Sequence, residues 1–150
     1  MVDVLTPEQR RRNMAAIRSV DTRPELRVRR LLHRQGMRYR LHVRGLPGKP
    51  DIVLARYKTV VFVHGCFWHK HTCRFGRVIP KTRTEFWETK RSDNVRRDRR
   101  NRASLVRSGW SVIVIWECQV PIEAAIVRLT NRIKAGIALR ARHRTGSVNP

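Results

Sequence analysis

Apolar residues fall into helical and strand periods along most of the chain, and the breaks between periods mark out the elements. After Thr22, the residues Val28, Leu31 and Leu32 recur at helical spacing; Thr22 and Glu25 form a Thr-x-x-Glu capping box, and Gly36 stands where such a helix would stop. A helix is therefore predicted from Thr22 to Gly36, with an apolar stripe that needs a sheet to pack on. Upstream, Thr6-Pro7-Glu8-Gln9 offers a capping hydroxyl and a proline at the first helical position, with Met14, Ala15 and Ile17 following on one side. That pattern predicts a short, basic helix within residues 1–20.

Strand periods occupy the middle of the chain. Met37 to Val43 alternates, Gly45 to Pro50 is turn-rich, and Asp51 to Ala55 and Thr59 to Val63 read as a hairpin joined through Arg56-Tyr57-Lys58. Both hairpin strands have long apolar runs, which predicts central places in a sheet. From Gly65 to about Pro80 no period survives, and Gly, Cys, His and Arg dominate, as in a functional loop or a metal-held knuckle. Helix resumes at Thr84-Glu85-Phe86-Trp87 and runs through an Arg-rich segment with Val95, Leu105 and Val106 to Ser108, ending at Gly109. Trp110 to Trp116 is the clearest buried strand. From Pro121 an amphipathic helix carries Ile122, Ala125, Ile126, Leu129 and Ile133 on one face. Past Gly136 the chain mixes Arg with Gly, Ser and Pro and reads as a basic, flexible tail over 137–150.

Composition narrows the possible partners. A chain of 150 residues makes one domain and buries roughly 68–70% of the surface exposed when unfolded. Hydrophobic residues at 41% and charged residues at 30% distinguish it from a disordered basic tail. Lys and Arg number 34 against 11 Asp and Glu, and the resulting net charge of +23 repels itself unless a polyanion neutralises it. Nucleic acid is the partner indicated, the more so because Arg outnumbers Lys and forks onto phosphate oxygens and base edges. A GC-rich coding bias would raise Arg, but it does not explain the scarcity of acids. The longest apolar run, Val112 to Trp116, falls far short of the ~20 residues of a membrane span, and the N-terminus lacks a signal-peptide core. A cytosolic protein with no membrane partner is expected, and its three cysteines point to metal or catalysis before disulfides.

Cys66, His69, His71 and Cys73 are too close in sequence to supply all four tetrahedral ligands without crowding. Cys66, His71 and Cys73 with a distant fourth ligand make a better set, and Cys118 is the one remaining cysteine. The alternative is three buried thiols acting as small hydrophobes. His33 and His42 lie in ordinary helix and strand positions and read as surface or half-buried residues. Asp51 enters an apolar strand and His64 ends the next, so the hairpin brings both to one sheet edge. A carboxylate there suits Mg²⁺, and a nearby histidine can move a proton near neutral pH. Asp98, an isolated acid in a cationic helix, is either an intrahelical ion-pair partner or the group that orients a histidine. Phe67 and Trp68 cannot both face one core from an extended loop, so one of them either inserts into DNA or covers the knuckle.

Several blocks together resemble one family: Asn13-Met14, Leu46-Pro47-Gly48-x-Pro50-Asp51, His64-Gly65-Cys66-Phe67-Trp68-His69, Thr82-Arg83-Thr84-Glu85-Phe86-Trp87, Asn94-Val95-x-Arg97-Asp98-Arg99-Arg100 and Trp116-Glu117-Cys118. In order, from about residue 9 to 118, they are similar to the very short patch repair (Vsr) endonucleases. The resemblance implies an α/β, restriction-endonuclease-like fold with a central mixed sheet flanked by helices and a structural zinc site. It implies a nuclease domain over 1–136 whose first 20 residues contact DNA. The implied activity is a Mg²⁺-dependent nick of one strand 5′ to the thymine of a T:G mismatch left by deamination of 5-methylcytosine.

Roles follow by position. Asp51 matches the carboxylate bridging two Mg²⁺ ions, with the Val63 main-chain oxygen as a further ligand; His64 and His69 match the catalytic histidines, Asp98 the partner of His69, and Glu25 an acid near the metal-bound waters. Cys66, His71, Cys73 and Cys118 match the ligands of one structural Zn²⁺. Phe67, Trp68 and Trp87 match rings that wedge beside the mismatch, and Met14 a side chain entering from the other groove. Val63 departs from the family, which commonly has Thr there. The resemblance further implies a monomer in the bacterial cytoplasm, associated with the nucleoid, in contact with double-stranded DNA and with other mismatch-repair proteins. A zinc-containing nucleic-acid-binding module without catalysis and a restriction-type nuclease with another substrate are the rival readings.

Overall fold

The computed structural model describes residues 21–145, with Thr6 and Glu8 upstream, and side chains as far as Gly136. The predicted N-terminal helix and Met14 lie outside the described residues. Helix α1, Arg23–Arg34, starts as the capping pattern requires, with the Glu25 N–H donating to Thr22 Oγ1 at 3.4 Å. The reciprocal arm is offset by one residue: the Glu25 carboxylate accepts from the N–H of Asp21, a left-handed residue, rather than from that of Thr22.

At its other end Gly36 takes φ +71°, and the N–H groups of Gly36 and Met37 close onto the carbonyls of His33 and Leu32. This Schellman motif is sealed by the burial of Met37 and Leu32 in one cluster. The same device ends α2, Thr84–Arg107, where Gly109 has φ +89° and Trp110 N–H bonds to Leu105 O. Both glycine stops are thus local chemistry that the sequence pattern already contained.

The sheet has three strands in the order β1-β2-β3: β1, Ile52–Leu54; β2, Thr59–His64; and β3, Ser111–Trp116. The predicted hairpin is present, with β1 antiparallel to β2 across a short 3₁₀ turn, Ala55–Tyr57, and a left-handed Lys58. β3 returns through α2 to lie parallel to β2, as a parallel pairing requires a long crossover. Only β2 is central. Met37 to Val43, expected as a strand, contributes a single bridge between Arg40 and Val53, because the chain turns away at left-handed His42. β3 is an edge strand in which Ile115 alone is buried, so it is less enclosed than its run of apolar residues suggested.

Alternation along the sheet divides the core in two. Ile52, Leu54, Val61 and Ile115 pack with Val28 and Leu32 of α1 and with Ile126, Leu129 and Ile133 of α3, Glu123–Thr145. Val53 and Val60 pack on the opposite face with Leu105 of α2. Ile122, expected on the buried stripe, precedes α3 and is exposed. The backbone of α3 runs on to Thr145, so residues 137–145 are helical where a flexible tail was expected. The result is a small α/β fold, a mixed sheet between helical layers. No helix among the described residues is long and apolar enough to cross a membrane.

Leu32 is fully buried at the centre of the larger cluster. Leu32→Ala is expected to lower unfolding free energy by about 2–5 kcal/mol, measured as a shifted urea midpoint at unchanged slope.

Candidate active site

β2 sets the site through its alternation. Val61 and Val63 turn to the α1 side and Val60 and Phe62 to the α2 side, so His64 at the strand's end shares the α2 side with Phe62. Asp51, just ahead of β1, accepts the Val63 N–H on Oδ2 at 2.7 Å. Any residue but proline supplies that donor, so valine is compatible with this anchor; its side chain packs against the larger core. Burial, helped by the charge of Glu25, pushes the Asp51 carboxyl up to about 6 against the opposing effects of the Val63 hydrogen bond, Arg29 and His69.

Glu25 reaches this region from α1 and is itself buried. Arg29, one turn on, donates to Glu25 Oε2 at 3.4 Å and to Asp21 Oδ1 at 2.8 Å. Its Nε is buried without a hydrogen-bond partner.

On the far side of the cleft His69 Nδ1 lies 2.6 Å from Asp98 Oδ2. A carboxylate has no proton to give, so Nδ1 carries the hydrogen and the lone pair of the neutral ring sits on Nε2. The His64 ring stacks flat on that of His69, with centroids 3.8 Å apart and planes 3° from parallel. Burial, with the neighbouring His69, lowers the His64 pKa to about 4, against a smaller opposing effect of Asp98. His64 is therefore neutral near neutral pH. Glu25, Asp51, His64, His69 and Asp98 line one cleft of about 880 Å³, with Arg99 and Arg102 at its wall.

The loop after His69 reverses at Lys70, whose φ of +50° is uncommon for a residue with a side chain. Lys70 Nζ is held by Glu88 Oε2 at 2.9 Å and Ser92 Oγ at 3.0 Å. This reversal sends His69 to Asp98 and His71 to the cysteines. The donor atoms of Cys66, His71, Cys73 and Cys118 all lie within 4.8 Å of one another. Cys118 Sγ is 3.5 Å from His71 Nδ1, and the His71 ring stacks on Trp116 at 4.2 Å. Ligands of a tetrahedral zinc are about 3.4–3.8 Å apart at normal bond lengths, so modest closure would suit the ion.

Burial pushes the Cys66 thiol up to about 12. Desolvation also raises Cys73, but the N–H groups of Gly76 and Phe75 and the side chains of His71 and Cys66 outweigh it and bring it to about 6. A Cβ at Gly76 would collide with the main-chain carbonyl of His71, so the loop closes this tightly only with glycine there.

Phe67, Trp68 and Trp87 form a half-buried group of rings with centroids 5.3–5.9 Å apart, and Phe86 extends it into solvent. Lys90 Nζ lies over Trp68 at 5.3 Å and over Trp87 at 5.8 Å.

Sequence reasoning assigned no role to Arg91, Asn94 or Arg29. Arg91 Nε donates to Phe67 O at 2.7 Å and Asn94 Nδ2 to Trp68 O at 3.0 Å, while Asp98 holds His69. Positions 91, 94 and 98 share one helix face, and that spacing, counted back from Asp98, was the available signal. His33 and His42 are exposed, as expected.

The family profile described as DNA mismatch endonuclease Vsr matches residues 2–75. The DNA mismatch endonuclease Vsr of Escherichia coli K12 is 48% identical, over 79% of this chain and 75% of its own length. A type II nicking enzyme of Xanthomonas oryzae pv. oryzae, V.XorIIP, is 49% identical over 87% of this chain and 96% of its own. Another of Neisseria meningitidis serogroup A, V.NmeAIP, is 46% identical over 89% and 94%. The cleft thus belongs to a DNA endonuclease. The chain is a member of the Vsr DNA mismatch endonuclease family.

Proposed function

We propose that this endonuclease nicks one strand of double-stranded DNA 5′ to the thymine of a T:G mismatch, in a Mg²⁺-dependent hydrolysis that begins very short patch repair. The observation that carries the reading is the meeting, in one cleft, of a carboxylate pinned by a strand N–H with a histidine oriented by a second carboxylate. Two relatives named as nicking enzymes and one named as a mismatch endonuclease support the choice of reaction.

The Mg²⁺ of this reading, two ions by the family resemblance, would sit at the Asp51 end of the cleft. The support is the donor set: a carboxylate whose pKa is raised by burial, with the buried Glu25 beside it, favours a cation that offsets their charge. Asp51 and the Val63 main-chain oxygen would hold the ions, with Glu25 near their waters. Magnesium bound there would supply an activated water and charge stabilisation for the phosphate. The protein's own work is done by histidines. His69, its Nδ1–H held by Asp98, uses Nε2 to take or give a proton at the reacting oxygen. His64, kept neutral, braces the His69 ring and offers a hydrogen bond within the cleft.

Cys66, His71, Cys73 and Cys118 would hold one structural Zn²⁺, tying the loop to the end of β3; the supporting observation is their convergence. Phe67, Trp68 and Trp87 would wedge beside the mismatch, with Met14 entering from the opposite groove. The hairpin-plus-crossover sheet, with its acid at the entrance of β1, supports a restriction-endonuclease-like architecture over residues 1–136. The remaining parts of the reading are a DNA-contacting segment before residue 20, a basic tail after 136, and action as a cytoplasmic, nucleoid-associated monomer alongside other mismatch-repair proteins.

Asp51→Ala is expected to abolish nicking of T:G duplex while leaving binding within a few-fold of normal, and EDTA should stop the intact enzyme. Equal cleavage of fully paired DNA would overturn the mismatch assignment. Asp98→Asn, which keeps shape but not charge, should slow single-turnover nicking by roughly 10²–10⁴-fold, the usual size of a general acid–base contribution. One zinc per chain is expected by elemental analysis; Cys118→Ala should lose it and melt at lower temperature, because binding free energy of structural zinc is folding free energy.

A further inference from the structure

In a chain with 34 Lys and Arg, two arginines among the described residues are withdrawn from solvent, Arg29 beside the cleft carboxylates and Arg91 against the loop. Arg91 is only 2% exposed and is the largest fully buried side chain among the described residues. Its Nε donates to Phe67 O at 2.7 Å, Nη1 to Val78 O at 2.9 Å and Nη2 to Gly76 O, while Glu88 Oε1 lies 3.4 Å from Nη1. The guanidinium carbon also sits 4.5 Å from the centroid of the Phe67 ring. These carbonyls belong to two legs of the loop, one entering the cysteine–histidine cluster and one leaving it. Such a group cannot also serve as a phosphate contact, since it is buried and its nitrogens already donate inside the protein.

We propose that Arg91 is a positioning residue for mismatch recognition, fixing the height and tilt of Phe67 and Trp68 by clamping both legs of their loop to α2. The inference rests on the reading of those rings as a wedge. Insertion costs a few kcal/mol of unstacking and is cheapest at a mismatch, so a rigid wedge discriminates where a loose one yields. The planar fork of arginine spans three carbonyls at once, whereas an ammonium at this position meets them as a point charge and leaves some unpaired. Asp51 and His69 are held separately, by the Val63 N–H and by Asp98, so the clamp acts on recognition rather than on the reacting groups.

The test compares Arg91→Lys and Arg91→Met with Trp68→Ala and the unaltered enzyme on T:G-mismatched and T:A-paired duplexes. Each protein is taken at a temperature where circular dichroism shows it folded. Binding preference for T:G over T:A should fall roughly tenfold in Arg91→Lys, a factor worth one decade of affinity, while the single-turnover nicking rate at saturating T:G duplex stays within about twofold. A purely structural role would reduce the active fraction on both duplexes alike and leave the preference unchanged. The proposal is overturned if Trp68→Ala loses the preference and the folded Arg91 variants keep it. Should Trp68→Ala itself keep the preference, the wedge reading fails and the role of Arg91 fails with it.

Discussion

One face of α2 grips three consecutive loop residues through three side chains: Arg91 to Phe67, Asn94 to Trp68 and Asp98 to His69. A helix advances about 1.5 Å per residue, so these positions stand about 4.5 and 6 Å apart along its axis, wider than the 3.8 Å step between successive Cα atoms, and the side chains span the difference. An irregular chain can therefore be held residue by residue against a regular one. The histidine and ring half of the site depends on this grip, through a different side chain for each residue. It orients the histidine that faces the cleft, presents the rings beside it, and leaves Lys70 to reverse the chain so that His71 joins the cysteines.

The electrostatics of the molecule divide along the same line. Acids are scarce, yet Glu25, Asp51 and Asp98 line one cleft, and Glu88 spans Lys70 and Arg91 at the neighbouring loop. A half-buried Asp51, its pKa raised chiefly by burial and further by the buried Glu25, costs folding free energy, and Arg29 offsets this only in part, with its own Nε left unsatisfied. Concentrating strain and charge at one edge of the sheet is a common cost of an active site. The surplus of cations is left to the surface, where DNA neutralises it.

Membership of the Vsr family and the geometry of the cleft meet at Asp51. Its anchor is a main-chain N–H on β2, so it does not depend on which side chain occupies position 63. Val63 contributes its side chain to the core and its backbone to the site, two roles that strand alternation keeps apart.

The sequence by itself determined the features governed by neighbouring residues. Thr22, Gly36 and Gly109 act within one helical turn, and the hairpin through Lys58 joins strands only a few residues apart, so capping and turn chemistry sufficed to mark them. The grouping of Cys66, His71 and Cys73 with Cys118 was also legible, because only one other cysteine exists. Tertiary structure decided what depends on distant backbone. Met37 to Val43 alternates like a strand but makes one bridge, since pairing needs a partner and β1 is three residues long. β3 reads as deeply buried but lies at an edge. From its own helix Asp98 read first as an intrahelical ion-pair partner, and only the family resemblance paired it with His69, which the fold brings within 2.6 Å of it. Arg91 was one arginine among many, and what sets it apart is a set of carbonyls far from it in sequence; no local pattern records where those will meet.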